Sequence, residues 1–444
     1  MLTGDVAATP AGDTRPAVID RGVGRVSAGG LLRRAAPRRH WAGLGSAARF
    51  VVLAAGERGQ GGAMRITEAG RTRRLGAGEP VARVTVHDAR AYGALLRSGS
   101  VGVGASYVAG WWDADDLTAL VRVLFRWTRP LRARFDQLGN AIGILLDLPA
   151  RLGGPGRTAD RRNVQAHYDL SNEFFELMLD ETMSYSCAVF EDPHATLREA
   201  QMAKIERLCA KLDLRPDDRV VEIGTGWGGF AIHAARRYGC RVTTTTISEA
   251  QRSYVAERVA EAGLADRVTI LGDDWRNLHG QFDKLVSVEM IEAVDWRHHD
   301  RFLAKCAALL VEDGMAAVQA IVIDDHSFER AKRHQDFVRR MVFPGGCLPS
   351  VASITASLAR ATDLRIVDLE DIGHHYAETL RRWSENVELH AEEIDRLGAR
   401  TQFRRLWALY LAYCEASFLE RHVSDVQLVL TKRAWRGGLH VRRA

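Results

Sequence analysis

Beyond residue 156 the chain alternates between short apolar segments and longer amphipathic segments. Apolar runs such as 315–323 are typical of strands that are buried on both faces. The intervening segments repeat their apolar residues at helical spacing. This alternation predicts an α/β domain over 157–440 with a doubly wound, mostly parallel sheet. The predicted strands are 219–224, 241–246, 268–271, 284–288, 315–323 and 425–431, and the predicted helices are 228–238, 249–262 and 299–310.

A smaller set of patterns precedes this domain. Residues 82–86 alternate apolar and polar side chains, which predicts a strand, and a short helix is predicted over 88–96. A glycine-rich turn is predicted at 98–107, and apolar residues recur at helical spacing over 117–124. These elements predict a small α+β domain over 63–152, joined to the larger domain by a glycine-rich linker at 153–156.

Positive charge is concentrated near the amino terminus. The net charge of the chain is +5, but the 13 arginines and five acidic residues before Leu75 give that part +8, which leaves −3 for the rest. Residues 1–62 show no sustained period and predict a flexible basic leader. Two interpretations stay open: an auxiliary membrane tether, or residues upstream of a start near Met64.

The predicted helix over 117–124 carries a second group of cations. Arg122, Arg126 and Arg129 are interleaved with its apolar residues. One interpretation is an amphipathic helix that packs on the core of its own domain. The other is a basic face that meets membrane lipid.

Composition excludes several classes of protein. A hydrophobic fraction of 46% and a charged fraction of 26% indicate a globular chain, and its apolar runs are too short to span a bilayer. Six scattered cysteines without a C-x-x-C pair predict reduced thiols and no metal site. No secretory signal is recognisable, and no nucleic-acid-binding signature accompanies the arginines. We therefore expect a cytoplasmic protein without a nucleic-acid partner.

Residues 220–229, VVEIGTGWGG, carry the first chemically informative motif. Closely spaced glycines between a strand and a helix let the backbone approach a ligand. A dinucleotide site would place an acid at the end of the second strand, but none occurs there before Glu249. The acid precedes the glycines at Glu222, and GDDW follows the third strand at 272–275. This arrangement resembles class I S-adenosylmethionine-dependent methyltransferases.

Six ordered segments carry a more specific resemblance. Together with GWWD at 110–113, they resemble the cyclopropane-fatty-acyl-phospholipid synthase family, which is related to the mycolic acid cyclopropane synthases. The resemblance covers roughly residues 85–440. The segments are HYDLSN at 167–172, MSYSCA at 183–188, VEIGTGWGG at 221–229, TISEAQ at 246–251, SVEMIE at 287–292 and FPGGCLPS at 343–350.

The resemblance implies a site for S-adenosylmethionine. Tyr185 and Ser186 would hold the methionine carboxylate, and Gln251 would replace the missing ribose acid. The full set that it implies is Tyr185, Ser186, Glu222, Gly224, Gly226, Thr246, Gln251, Asp274 and Trp275.

The resemblance also implies a mechanism with bound bicarbonate as a base. Attack of an alkene on the sulfonium methyl leaves a carbocation, which needs a dry pocket because water would capture it. The matching residues around bicarbonate are Cys187, Glu292, Tyr376 and the backbone of Ile321. Gln319 stands where the family has histidine, and glutamine cannot carry charge or shuttle a proton. Each side chain also has a structural interpretation, and Glu289 is interpreted as a second carboxylate that only forms a salt bridge.

The leading hypothesis is alkylation of unsaturated acyl chains in membrane phospholipids, peripherally at the inner face of the membrane. The expected product is a cyclopropane fatty acid. A mid-chain methylene branch, reduced to a methyl branch by a separate reductase, is the alternative. A methyltransferase for a soluble small molecule and a catalytically inactive binding protein also stay open, and a homodimer is considered.

Overall fold

The computed structural model describes residues 45–129, 171–399 and 401–438. The predicted linker at 153–156, His167 of the resembling segments and residues 1–44 of the predicted leader lie outside these ranges. The described residues form one sheet of four strands and one of seven strands. The seven-stranded sheet carries the predicted glycine motif.

The smaller sheet contains β1 (Gly62–Glu68), β2 (Arg71–Ala77), β3 (Val81–Val86) and β4 (Trp112–Ala114). Their order is β2-β1-β3-β4, with β1 parallel to β3 and antiparallel to β2. β3 confirms the strand predicted at 82–86. The helix Gly45–Glu57 packs on β2 and on the helix Arg90–Val108.

The prediction of a flexible leader over 1–62 is wrong for its last part. Gly45–Glu57 is a helix, and β1 begins at Gly62. Ala48 and Leu53 of this helix are buried in the core of the small domain. The alanines and glycines of this stretch conceal its apolar side in the sequence, because small residues weaken the contrast on which periodicity depends.

The prediction of a turn at 98–107 is also wrong, because these residues lie within the helix Arg90–Val108. The helix is interrupted at Gly99, whose φ of 53° and ψ of −131° are not helical. Gly104 serves close packing instead of a turn. A Cβ atom there would lie 2.3 Å from Cδ2 of Phe337, so only glycine fits against that ring.

The helix over 117–129 packs within the protein. Arg122 and Arg126 both form ion pairs with Glu420, at 2.8 Å each. The interpretation that these two arginines face lipid is therefore wrong, since a carboxylate of the protein neutralises them. Arg129, at the end of this helix, is exposed.

The larger sheet has the doubly wound order of a methyltransferase. Its strands are β5 (Arg219–Ile223), β6 (Arg241–Thr245), β7 (Val268–Leu271), β8 (Phe282–Val288), β9 (Leu310–Ile323), β10 (Arg365–Asp371) and β11 (Val423–Thr431). The order is β10-β11-β9-β8-β5-β6-β7, and only β11 runs antiparallel to its neighbours. All six predicted strands are confirmed. β10 was not predicted, because its acidic and basic residues obscure the apolar alternation.

Helices cover the sheet and connect the two domains. The helix Arg90–Val108 packs against Phe337–Met341 and Thr401–Leu419. The remaining helices are Asn172–Met178, Leu197–Lys211, Gly229–Tyr238, Glu249–Glu261, His299–Leu309, Asp325–Ala331, Val351–Ala361, Tyr376–Leu389 and Ala391–Arg396, with short 3₁₀ turns at Trp275–Asn277, Ile291–Ala293, Trp296–His298 and Gly373–His375.

The cysteines form no disulfide, and five of the six are buried. Among the described residues, no helix is long and apolar enough to cross a membrane. Within the same ranges, no group of three His, Cys, Asp or Glu side chains is arranged to hold a metal ion.

Candidate active site

The glycine motif forms an open loop at the carboxyl end of β5. Gly224 and Gly226 have φ angles of 99° and 53°, a region that favours glycine. A Cβ atom on Gly226 would meet no atom within 4 Å, so there is free space above this residue. The helix Gly229–Tyr238 starts directly after the loop and points its free backbone N–H groups toward this edge.

Glu222 lies beneath this loop. Its carboxylate accepts a hydrogen bond from Oγ1 of Thr244 at 2.6 Å, and that hydroxyl lies 2.7 Å from Oγ1 of Thr225. Burial raises the pKa of Glu222 to about 8, partly offset by the bond from Thr244. The structure therefore places Glu222 as a support that joins β5, β6 and the glycine loop.

The end of β6 presents an amide group without a partner. Oγ1 of Thr246 donates to Oε1 of Gln251 at 2.8 Å. The Nε2 atom of Gln251 is buried and has no hydrogen-bond partner in the structure. A buried donor without a partner is costly, so this amide fits an acceptor on a bound ligand.

Asp274 and Trp275 lie at the next strand end. Asp274 accepts from the backbone N of Arg276 at 3.0 Å and forms an ion pair with its side chain at 2.8 Å. Trp275 is buried and meets Phe302 edge-on at 5.2 Å between ring centroids. Asp274 therefore begins a turn, and Trp275 forms an apolar wall.

Tyr185 and Ser186 approach the site from the segment before the sheet. The hydroxyl of Tyr185 lies 2.8 Å from that of Tyr410. Oγ of Ser186 accepts a hydrogen bond from Nζ of Lys204 at 2.9 Å, and Lys204 is buried. The sequence analysis missed Lys204, although lysine is rare in this chain, with six among 61 basic residues.

These residues fit S-adenosylmethionine. Free space above Gly226 admits a ligand to the backbone, and Nε2 of Gln251 supplies an unused donor at the end of β6. Both features lie where doubly wound sheets bind their ligands, at the carboxyl ends of the strands.

The neighbouring part of the sheet edge holds a partly buried carboxylate, Glu289, at the end of β8. One oxygen, Oε1, accepts from the backbone N of Cys187 at 2.7 Å and from Nε2 of Gln319 at 2.9 Å. The other, Oε2, accepts from the hydroxyl of Tyr376 at 2.6 Å. Three predicted catalytic residues thus converge on Glu289.

Glu292 lies three residues further along the chain, and its carboxylate accepts fewer hydrogen bonds than that of Glu289. Oε1 accepts from the backbone N of Ile321, and Oε2 is buried without a partner. Burial and the nearby charge of Glu289 raise the pKa of Glu292 to about 8. Glu292 is therefore mostly protonated at neutral pH.

Gln319 links two carboxylates that come from different strands. Its Nε2 donates to Glu289 and, at 2.8 Å, to Oδ2 of Asp425, while its Oε1 accepts from Gln427 at 3.1 Å. Burial raises the pKa of Asp425 well above its ordinary value, and the charges of Glu289 and Glu292 add to this effect. Both effects favour the neutral form of Asp425 next to Glu289.

The thiol of Cys187 donates to backbone oxygens instead of to these carboxylates. Its Sγ donates to the backbone oxygen of Ala188 at 3.3 Å, and burial raises its pKa well above the ordinary value. Cys187 reaches the site through its backbone N alone. The thiol itself is a buried, neutral group.

Aromatic side chains adjoin the carboxylates. Tyr376 stacks on Phe418 at 4.3 Å between ring centroids and meets Trp383 edge-on at 6.1 Å. Tyr185 lies 5.1 Å from Trp383. We call Tyr185, Tyr376, Trp383, Tyr410 and Phe418 the aromatic cluster. Such rings exclude water and attract positive charge.

Sequence reasoning located most of these residues but missed how they are connected. The four residues that the resemblance assigned to bicarbonate besides Glu292 lie near one another. Three of them, Cys187, Gln319 and Tyr376, donate to Glu289. The fourth, Ile321, donates to Glu292. The interpretation of Glu289 as a residue that only forms a salt bridge is wrong. Asp425 was missed as well, although an acid in an otherwise apolar strand is an unusual signal.

Comparison with known proteins places the chain in a family. A model described as mycolic acid cyclopropane synthetase matches residues 156–428. The chain is 38% identical over 356 residues to tuberculostearic acid methyltransferase UfaA1 of Mycobacterium tuberculosis, covering 76% of this chain and 80% of that protein. It is 35% identical over 364 residues to cyclopropane-fatty-acyl-phospholipid synthase of Escherichia coli K12, covering 79% of this chain and 87% of that protein.

A solved structure agrees with this placement. Mycolic acid cyclopropane synthase CmaA1, complexed with SAH and CTAB, matches with a TM-score of 0.58 and 29% sequence identity, covering 63% of this chain and 99% of that chain. The match confirms the doubly wound α/β fold predicted from the alternation of strands and helices, and the methyltransferase fold that the resemblance implied. The chain belongs to the mycolic acid cyclopropane synthetase family of S-adenosylmethionine-dependent lipid methyltransferases.

Proposed function

We propose that the protein alkylates the double bond of an unsaturated acyl chain in a membrane phospholipid. The observation that carries this proposal is the aromatic cluster beside the partly buried carboxylate of Glu289, next to the edge that fits S-adenosylmethionine. Reaction at an unactivated alkene passes through a carbocation, which requires an apolar lining, a base and the exclusion of water. A transfer to an amine or hydroxyl group would not need this combination.

Different residues of the site would bind the cofactor and the acyl chain. S-adenosylmethionine, when bound, supplies an electrophilic methyl group. Gly224, Gly226, Thr246 and Gln251 would hold it at the ends of β5 and β6, with Tyr185 and Ser186 at the methionine end. The aromatic cluster would hold the acyl chain, because ring faces stabilise a nearby cation by about 0.5–2 kcal/mol.

The family resemblance favours a cyclopropane ring, formed by adding one CH₂ across the double bond. The same carbocation gives a methylene branch if a hydride first shifts from the methylated carbon to the neighbouring cationic carbon and the new methyl group then loses a proton. Two observations favour this second product: the 38% identity to a protein named as a tuberculostearic acid methyltransferase, and Gln319 at the histidine position. A separate reductase would then complete a methyl branch.

We also propose that the small domain contacts the membrane surface. Phe50 is 74% exposed and Val51 is 49% exposed on the helix Gly45–Glu57. This helix packs on β2, whose Arg71, Arg73 and Arg74 are exposed. Exposed apolar residues near basic side chains are typical of a surface that meets anionic lipid.

Lipid analysis of an expression host tests the proposed function. The protein is produced in a bacterium with monounsaturated phospholipids, and the fatty acid methyl esters are analysed by mass spectrometry. We expect esters heavier by one CH₂ group. Resistance to hydrogenation would identify a ring, and uptake of hydrogen would identify a methylene branch.

Gly226→Val provides the control for this experiment, because its side chain fills the free space above the loop and requires a φ that valine avoids. The variant should form no modified lipid. Absence of modified lipid with the folded wild-type protein, together with methylation of soluble metabolites, would overturn the proposal in favour of a small-molecule methyltransferase.

A further inference from the structure

The groups that the family resemblance assigns to bicarbonate are already bound to side chains of the protein. The backbone N of Cys187, Nε2 of Gln319 and the hydroxyl of Tyr376 donate to Glu289. The backbone N of Ile321 donates to Glu292. An anion is held by hydrogen-bond donors, and these four donors are in use.

The local charge also opposes a further anion. Glu289, Glu292 and Asp425 lie close enough together that the charge of Glu289 raises the pKa of both other acids. Lys204 is a buried cation whose charge favours the ionised form of Glu289. A bound bicarbonate would add negative charge to a cluster that already suppresses the ionisation of two of its members. Bicarbonate therefore does not fit this site.

The backbone of Glu289 has a conformation that glutamate does not favour. Its φ is 47°, in the left-handed region that residues with a Cβ seldom adopt. Such a conformation is strained and persists only where the surroundings impose it. A glycine would adopt the same backbone conformation more easily. We therefore infer that the carboxylate of Glu289 has a role that offsets this strain.

We propose that the carboxylate of Glu289 is the catalytic base, in the position that bicarbonate has in the family. This inference rests on the proposed function. Of the three acids, Glu289 accepts three hydrogen bonds and is the best stabilised as an anion, whereas Glu292 accepts one and has an oxygen without a partner. The hydroxyl of Tyr376 joins Glu289 directly to the aromatic cluster.

The proposed step balances as follows. The π electrons of the alkene form a C–C bond to the methyl carbon while the C–S bond breaks, which leaves a positive charge on the acyl chain. An oxygen of Glu289 then takes a proton from carbon. The electrons of that C–H bond close the ring or form a new double bond. Glu289 ends as a neutral acid and returns its proton to water after product release.

Burial favours this role. The pKa of Glu289 is raised by burial, although the bonds from Tyr376 and Cys187 hold it down. A base is most effective when its pKa lies near the working pH. The donors favour the ionised form of Glu289, and burial makes its carboxylate a stronger proton acceptor than that of an exposed glutamate.

Two substitutions at this position test the proposal, assayed with unsaturated phospholipid vesicles in buffer freed of bicarbonate. Glu289→Gln keeps the volume but removes the base, so kcat should fall about 10²- to 10⁴-fold and stay low when bicarbonate is added. Glu289→Gly vacates the position and frees three donors. Its kcat should fall similarly and then recover at least about tenfold with bicarbonate or formate.

Controls separate this proposal from folding and from the proposed function. Glu261→Gln, on an exposed helix end, should behave as wild type. Titration calorimetry with S-adenosylmethionine and thermal unfolding report whether each variant is folded. Stimulation of the wild-type protein by bicarbonate, or an active Glu289→Gln, would overturn the assignment of Glu289. A folded wild-type protein that modifies no lipid would instead overturn the proposed function.

Discussion

Two neighbouring regions of the same sheet edge differ in whether their polar groups have hydrogen-bond partners within the protein. We call the ends of β5, β6 and β7 the cofactor region, and the ends of β8, β9 and β11 the base region. The cofactor region leaves the amide of Gln251 without a partner and free space above Gly226. In the base region, Glu289 accepts three hydrogen bonds from the protein itself.

The difference shows which part of the site awaits a ligand. A region with an unused donor is prepared for a group that arrives from outside, whereas a carboxylate with its donors in place is prepared to act on that group. The base region is also assembled from residues far apart in sequence, such as Gln319 and Asp425.

The largest expected effect concerns Glu222, which supports the cofactor region. Its pKa is raised from 4.5 to about 8, so the folded state favours the neutral acid. Its contribution to stability is complete below pH 4.5 and is lost as the pH rises toward 8. Glu222→Gln should remove this loss of stability, which amounts to about 5 kcal/mol.

Denaturant unfolding at several pH values measures the effect of Glu222→Gln. Glu261→Gln serves as the exposed control. We expect the free energy of unfolding of the wild-type protein to fall, relative to that of Glu222→Gln, between mildly acidic and mildly alkaline pH. If the difference between the two proteins stays constant over this range, Glu222 is ionised in the folded protein.

The next effect concerns Tyr376 in the base region. Tyr376→Phe removes one of the donors to Glu289, and a hydrogen bond to a charged group contributes about 1.5–3 kcal/mol. The rate at neutral pH should fall about 10- to 100-fold. Because the charged form of Glu289 loses support, its pKa rises, and the rate should recover as the pH is increased.

The pH profile of kcat distinguishes this positioning role from a structural one. Tyr254→Phe is the matched control, since Tyr254 also donates to a carboxylate, that of Glu176, on an exposed part of the surface. A Tyr376→Phe profile that is lower at every pH by the same factor would contradict the proposed support of Glu289.

A smaller effect is expected at Gln251. Gln251→Ala removes the amide that has no partner within the protein. The Kd for S-adenosylmethionine should rise about tenfold, the value of one hydrogen bond, with kcat changed little at saturation. Calorimetry measures the Kd, with exposed Gln281→Ala as control. An unchanged Kd would remove Gln251 from the cofactor region.

The smallest effect concerns the choice of product. Gln319 donates to two carboxylates at once, and a histidine at this position has a different reach. Gln319→His should therefore shift the orientation of Glu289 and change the ratio of ring to branch by a few-fold, corresponding to less than about 1 kcal/mol. Mass spectrometry of the esters gives the ratio. An unaltered ratio would show that Gln319 does not select the product.

The cofactor region was predictable from sequence because its features are local. Strand, glycines and helix follow one another in 220–229, and backbone requirements fix those residue types. The same reasoning failed for 98–107, where glycines serve helix packing, and for Gly45–Glu57, where small residues hide an apolar side.

The base region was predictable only in part. The resemblance identified Cys187, Gln319 and Tyr376, but the acid they bind depends on where β8 and β9 place their ends in space. No local pattern distinguishes Glu289 from Glu292, which are three residues apart. Their different hydrogen bonds arise from backbone geometry, including the left-handed conformation of Glu289.

Binding of isotopically labelled bicarbonate, followed by the line width of its carbon NMR signal, tests most directly whether the base region carries its own carboxylate. We predict no saturable broadening with the wild-type protein and saturable broadening with Glu289→Gly, where the three donors are free. Saturable broadening that is as large for the wild-type protein as for Glu289→Gly would contradict the account.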